Sequence, residues 1–241
     1  MAVYGSIPVK LVTYTTVGIT TTTIFLCYAL AVGLGHVPAW LPMISDCAVE
    51  SPEKYPFRLG IISGATALIA NVLLVYSAFP SFSLRKTSAA FGVVASVGLA
   101  IVGAVNEEED NTVHSVAAVS FFLFYDIYMT IICFNAPRDQ RISKISLINK
   151  RIFALLGIIL LVTVGILAAL GWDKYKTIIA VCEWGGTLAI EIFNLSFAFD
   201  MAGITLEEVS NDAPPRYSDA VNDKKQISVT TVSTPEKASL D

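Results

Sequence analysis

The sequence has 241 residues, of which 54% are hydrophobic and only 15% are charged, and its formal net charge is −4. The apolar residues fall in long runs, so this composition excludes an ordinary water-soluble protein and favours one whose solvent is a lipid bilayer. No nucleic-acid partner is expected.

Six segments are long and apolar enough, or nearly so, to cross a hydrocarbon core of about 30 Å, which needs roughly 20 residues at the helical rise. They cover residues 11–35, 59–79, 89–105, 114–134, 152–171 and 177–199. The first is too long and too poorly flanked for a cleaved signal peptide, so we expect it to be retained. The sequence therefore predicts an all-α fold, a polytopic membrane bundle of six transmembrane helices.

Lysine and arginine indicate the orientation, because cytosolic loops carry the excess of positive charge. If the amino terminus is cytosolic, twelve of the sixteen basic residues lie on the cytosolic side, and Lys150 is counted among them as a loop residue. The other four are Lys54, Arg58, Lys174 and Lys176. Six crossings then place both termini in the cytosol.

Two regions are predicted, a six-helix transmembrane domain over residues 1–200 and a cytosolic tail over residues 201–241. The tail is rich in Asp, Ser, Thr, Lys and Pro and poor in bulky apolar residues, so we expect it to be disordered. It contains Pro214, Pro215 and Tyr217 in a PPxY element, which WW domains bind in an extended polyproline conformation. A WW-domain protein is therefore a candidate partner.

Ionisable residues within the predicted helices form a candidate polar site, because such groups cost several kcal/mol in a membrane unless they find partners. They are Asp126, Glu183 and Glu191, to which we add His114 at the mouth of the fourth helix and Asp200 directly after the sixth, with Asn71 and Asn194 as neutral polar residues. At the helical rise Asp126 and Glu191 lie about 18 and 21 Å deep, so we expect them to be able to meet. Glu183 is expected at the level of His114.

Two interpretations of these polar residues stay open. They line a lumenal-facing cavity that holds a lipid head group or relays protons, or they form structural hydrogen bonds between helices. The sequence has no zinc-protease, serine-hydrolase or phosphate-loop motif, and its four cysteines are scattered. We therefore predict no catalytic residue, no metal site and no cofactor.

The segment between the first two predicted helices carries two short motifs. They read Leu41-Pro42-Met43-Ile44-Ser45-Asp46 and Ser51-Pro52-Glu53-Lys54-Tyr55-Pro56-Phe57-Arg58. These motifs resemble those of the Frag/DRAM/Sfk family of six-span membrane proteins, whose first loop carries P-x-I-S-D followed by P-E and an aromatic residue. The matching residues are Pro42, Ser45, Asp46, Pro52, Glu53 and Phe57. We expect Ser45 and Asp46 to cap a short interfacial helix.

Three elements further along the chain agree with this resemblance. Residues 98–103 are a Gly-flanked apolar stretch, and His114 opens the fourth predicted helix. The sixth carries Glu183-Trp184 followed by Phe193, Ser196 and Asp200. The resemblance extends from Leu11 to about Asp200.

The resemblance implies one of three functions. DRAM-like members are lysosomal modulators of autophagy, and Sfk-like members support phosphatidylinositol 4-kinase and phospholipid organisation at the plasma membrane. Post-GPI-attachment factors act in the Golgi on the lipid of GPI anchors. We favour the first two, with membrane lipids as partners and a lysosomal, endosomal or plasma-membrane location.

Two alternatives to this function are kept. One is GPI-anchor lipid remodelling in the Golgi or ER, because residues 55–58 and 109–114 look more like that branch. The other is a proton-coupled transporter or channel, because buried acids on two helices are also what proton relays use.

Overall fold

The structure is a computed structural model that describes residues 7–205. This part of the chain is helical and has no named β-strand; an isolated bridge pairs Pro8 with Thr205. The predicted all-α class is confirmed for these residues. Pro214, Pro215 and Tyr217 lie outside them, so the WW-domain interpretation stays a prediction.

Five α-helices and two short 3-10 helices make up the described chain. The α-helices are α1 Lys10–Leu34, α2 Lys54–Ala78, α3 Arg85–Ala104, α4 Glu107–Asn135 and α5 Lys144–Asp200; the 3-10 helices are Asp46–Ala48 and Ala136–Arg138. All five α-helices are long and apolar enough to cross a membrane.

Helix α4 begins at Glu107 rather than at the predicted His114. Its start is fixed by a capping box, in which the Asn106 side chain accepts from Glu109 N at 2.9 Å and Glu109 Oε2 accepts from Asn106 N at 3.3 Å. The side chains of the first turn are acidic, and the positive end of the helix dipole stabilises negative charge there. Asp110 is not helical, with φ −158° and ψ 95°, and its side chain accepts from Val113 N at 3.0 Å, so residues 107–109 form a separate capped turn and the continuous part of α4 starts after Asp110.

Helix α5 joins the last two predicted segments. Residues 172–176, predicted to be a loop, are helical, and the only break is at Gly171, with φ 130° and ψ 102°. A straight helix of this length would extend about 86 Å. Instead Lys150 Nζ lies 2.6 Å from Asp200 Oδ2. The chain therefore folds back at Gly171 into two antiparallel parts, here named the first arm (144–170) and the second arm (172–200).

Contacts between distant segments define two ends of the bundle. At the loop end, Trp184 Nε1 donates to Pro42 O at 2.8 Å and so attaches residues 35–53 to the second arm. At the termini end, Val9 N donates to Ile204 O at 3.0 Å. Because Met201 and Ile204 are buried, the packed region continues past residue 200.

Small residues let α1 approach α2 closely. A methyl group at Gly60 would overlap the side chain of Thr23, and one at Gly64 would overlap Thr20. The Gly60-x-x-x-Gly64 spacing therefore serves close helix packing, as membrane bundles require when lipid and protein are equally apolar.

We predict that Gly171→Ala destabilises the fold, whereas Gly165→Ala does not. At Gly171 the positive φ disfavours any side chain, and the strain should cost about 1–3 kcal/mol. Gly165 is helical and has open space around its Cα, so alanine should fit there. Thermal unfolding in detergent would measure both variants. Equal unfolding temperatures would contradict the fold-back at Gly171.

Candidate functional site

A cavity of about 330 Å³ opens at the loop end between α4 and the two arms of α5. Its polar wall includes Ser45, Glu107, His114 and Glu183, and Phe122 and Leu160 belong to its apolar wall. We call this the loop-end cavity. A smaller cavity of about 60 Å³ beside it shares Ser45, His114 and Glu183 and continues to Glu191.

Glu183 belongs both to the cavity wall and to the attachment of the loop. Its Oε2 accepts a hydrogen bond from Ile44 N at 2.9 Å. The next residue, Trp184, holds Pro42 through its indole N–H. Two consecutive residues of the second arm therefore fix the loop backbone above the cavity.

His114 is buried in α4 and oriented by the turn that precedes the helix. Its Nδ1 lies 2.7 Å from Val105 O. Because a carbonyl can only accept, Nδ1 carries the proton. Nε2 lies 3.9 Å from Glu107 Oε1, which is too far for a hydrogen bond. His114 and Glu183 thus line the same cavities, and both had been expected at the same depth in the membrane. Each is hydrogen-bonded to backbone rather than to the other.

Asp126 and Glu191 have different neighbours. Glu191 Oε1 is hydrogen-bonded to the hydroxyl of Thr20 on α1. Asp126 lies against Gly157 on the first arm, where a methyl group would overlap its carboxyl. No hydrogen bond joins the two carboxyls within residues 7–205, so the meeting expected from their depth is replaced by contacts with different helices.

The family-matching loop acids are both paired. Glu53 is almost fully buried, and its Oε1 lies 2.5 Å from His36 Nδ1, while its Oε2 has no hydrogen-bond partner. Asp46 lies 3.1 Å from Lys176 Nζ. Phe57 is buried against Ile24 and other apolar residues of α1 and α2.

The rest of the loop is ordered by backbone contacts. Ser45 precedes the short 3-10 helix as predicted, but its side chain makes no capping hydrogen bond; its carbonyl accepts from Ala48 N instead. The Ser51–Pro52 peptide bond is cis. Burial, reinforced by the charge of Asp46, raises the pKa of the Cys47 thiol to about 12. That cysteine is therefore a neutral packing residue.

A network of neutral polar side chains crosses the middle of the bundle. Asn194 Oδ1 accepts from Tyr125 OH at 2.6 Å and from Asn71 Nδ2 at 3.2 Å. Asn71 Oδ1 in turn accepts from Thr13 Oγ1 at 2.7 Å. These residues lie on α1, α2, α4 and the second arm of α5, so one network joins four helices.

The termini end contains a buried ion pair. Lys150 Nζ donates to Asp200 Oδ2 at 2.6 Å, to Ser196 Oγ at 2.5 Å and to Ser146 Oγ at 3.1 Å. It also lies 4.1 Å from the centre of the Phe197 ring. Asp200 is therefore far from the other predicted site acids, and the cluster connects the two arms of α5.

Lys150 does not lie in a cytosolic loop, as its position in the sequence had predicted. Because α5 begins at Lys144, Lys150 is inside the helix and fully buried. The sequence did hold a signal, since an acid at the end of the last helix needs a cation at the same level. Among residues 7–205, no group of three His, Cys, Asp or Glu side chains is arranged to hold a metal ion.

An ion pair near the termini end stabilises the turn between α4 and α5. Arg141 Nη2 lies 2.7 Å from Asp139 Oδ2, and Ser81 Oγ donates to the same carboxyl. Burial opposes ionisation of Asp139, but the hydrogen bonds from Arg141 and Ser81 outweigh it and hold the pKa of that carboxyl below its usual range. This turn is therefore anchored by charge at neutral pH.

We predict that Lys150→Met destabilises the protein by about 3–5 kcal/mol, because it leaves Asp200 buried without its cation. The double variant Lys150→Met/Asp200→Met should recover much of this loss, because neither charge remains unpaired. Lys144→Met, at an exposed position of the same helix, is the control. The four native cysteines are all buried, so their modification by a fluorescent maleimide on heating would report unfolding. A Lys150→Met protein as stable as the control would contradict the buried pair.

Comparisons with known proteins agree with these features. The family model described as Frag1/DRAM/Sfk1/Cwh43P N-terminal domain matches residues 8–204. DNA damage-regulated autophagy modulator protein 1 of Homo sapiens is 25% identical over 213 residues, covering 77% of this chain and 89% of the relative. The Mus musculus protein of that name is 24% identical with the same coverage.

The Xenopus laevis protein of the same name is 22% identical over 203 residues, covering 75% of this chain and 85% of the relative. No solved structure matches the chain. The resemblance read from the loop and helix motifs is thus confirmed, and the chain belongs to the family described as Frag1/DRAM/Sfk1/Cwh43P N-terminal domain.

Proposed function

We propose that the protein modulates autophagy or phospholipid organisation, as a DRAM/Sfk-type membrane protein of lysosomes, endosomes or the plasma membrane. It acts by binding the head group of a membrane lipid in the loop-end cavity. The observation that carries this proposal is the amphipathic character of that cavity in a chain built almost wholly of membrane-length helices.

The shape of the cavity fits a lipid better than a soluble metabolite. Glu107 and His114 line it at the loop end, whereas Val119 and Phe122 line it further along α4. Val119 is also 54% exposed on the bundle surface, so the cavity meets the surface at a level where a membrane would supply hydrocarbon. A lipid can enter sideways there without leaving the bilayer.

The names of the relatives support the cellular role. Three of them are DNA damage-regulated autophagy modulator proteins that share most of their length with this chain. GPI-anchor remodelling is the alternative function, and the lipid composition of GPI-anchored proteins distinguishes it.

The membrane topology of the helices is a second part of this proposal. We propose that α1 to α4 and the two arms of α5 cross the membrane, which gives six crossings with both termini in the cytosol. The antiparallel arms support this, because each is long enough for about 30 Å of hydrocarbon. The loop end then faces the lumen or the outside.

Single cysteines test this topology in a background lacking the native cysteines. We expect Asp110→Cys and Asp173→Cys, both exposed at the loop end, to react only with a reagent supplied from the lumenal or outer side. Lys86→Cys and Lys144→Cys should react only from the cytosol. The same accessibility for Lys144→Cys and Asp173→Cys would remove the crossing by the first arm.

Rescue of cells lacking the protein tests the function. We expect wild type to restore both lysosomal turnover of an autophagosome marker and the distribution of membrane phospholipids. Glu183→Gln should restore less at equal abundance, because the carboxylate facing the cavity is neutralised. Glu50→Gln, an exposed acid of the same loop, is the matched control.

The outcomes separate the candidates. Normal autophagy and phospholipids in cells lacking the protein would overturn the proposal. Altered lipid composition of GPI-anchored proteins in those cells would favour the GPI-remodelling alternative.

A further inference from the structure

We infer that the loop-end cavity binds an amphiphile whose head group is a protonated amine, such as a long-chain base. This inference rests on the proposed lipid-binding role and names the chemical class of the ligand.

The charge of the wall selects the head group. Glu107 and Glu183 both line the cavity, and none of the described residues that line it is Lys or Arg. A phosphate group there would face two carboxylates without a cation, whereas an ammonium would be paired with them.

Two cations of the loop end are paired with acids that do not line the cavity. Lys176 is paired with Asp46, and Arg58 is paired with Glu109. None of the described residues that line the cavity therefore supplies a cation for Glu107 or Glu183.

His114 adds an acceptor to the same wall. Its Nδ1–H is committed to Val105 O, which leaves the lone pair of Nε2 for another donor. The residue is 5% exposed, and the only acid near Nε2 is 3.9 Å away, so this nitrogen has no hydrogen-bond partner among the described residues. Glu107, His114 and Glu183 are three acceptors for a group that, as a primary ammonium, has three donors.

The remaining lining supports a single alkyl chain. From Asn111, just after the break at Asp110, to Val119 the helix rises about 12 Å, and apolar residues of the first arm line the same cavity. The volume of about 330 Å³ is near the lower limit of ligand pockets, which suits a small head group and the first part of one chain. The rest of the chain would leave beside Val119 into the bilayer.

The test uses the full-length protein in phosphatidylcholine nanodiscs and a photoactivatable sphingosine as probe. We expect the probe to label peptides of α4 and α5, and unlabelled sphingosine to compete. Sphingosine 1-phosphate and an uncharged alcohol of the same chain length should compete at least about tenfold more weakly, since a hydrogen bond to a charged partner contributes that much.

Charge-neutralising variants test whether the amine binds in the cavity. Glu107→Gln and Glu183→Gln should each weaken probe binding by about tenfold or more. Glu108→Gln makes the same change on the adjacent exposed residue and should bind as wild type does. Glu107→Gln also covers the case in which Glu183→Gln fails to fold, since Glu107 makes no buried hydrogen bond in the described structure.

Three results would overturn the inference. Equal competition by the phosphate or the alcohol would show that charge does not select the ligand, and absence of labelling would show that no amine binds. Equal binding by all three variants would place the amine elsewhere. If sphingosine fails while Glu183→Gln still impairs cellular rescue, the proposed lipid-binding function survives with another ligand. If Glu183→Gln rescues normally while the wild-type protein binds the amine, the proposed cellular function is wrong but the amine-binding site stands.

Discussion

The polar side chains at the centre of this bundle find their partners on neighbouring helices, and that constraint organises the fold. In hydrocarbon there is no water to replace a missing partner, and each unpaired group costs several kcal/mol. The side-chain amide of Asn194 receives hydrogen bonds from Tyr125 and Asn71, and Asn71 receives one from Thr13. Sliding any of these four helices by one turn would separate these partners, so the network fixes their relative heights.

The two ends of the bundle use their polar groups differently. At the termini end, all three donors of the Lys150 ammonium have acceptors, and an aromatic ring covers it. Such a closed cluster holds the two arms together and leaves no capacity for a ligand. At the loop end, His114 and Glu183 are bonded mainly to backbone and face open space. Within residues 7–205, the loop end therefore combines open space with an unused acceptor, His114 Nε2.

The sequence predicted the helical class, most helix positions and the family, because long apolar runs and short loop motifs are local signals. It missed what depends on contacts between distant residues. Lys150 was read as a loop charge, since its partner Asp200 is 50 positions away. The spacing of Thr13, Thr16 and Thr20 along one buried face was a readable sign of a polar seam on α1.

The position of Glu183 connects the cavity to the loop above it. An ionised carboxylate has about four acceptor sites, and the loop backbone occupies one through Ile44 N. A head group in the cavity would bind the same carboxylate. Its binding would therefore be coupled to the position of the loop. Two ligands of one group are thermodynamically linked, and each changes the affinity for the other by the same factor. If a lipid binds as proposed, occupancy of the loop-end cavity would therefore shift the position of the loop segment from Pro42 to Asp46, which carries the family motif and is largely buried.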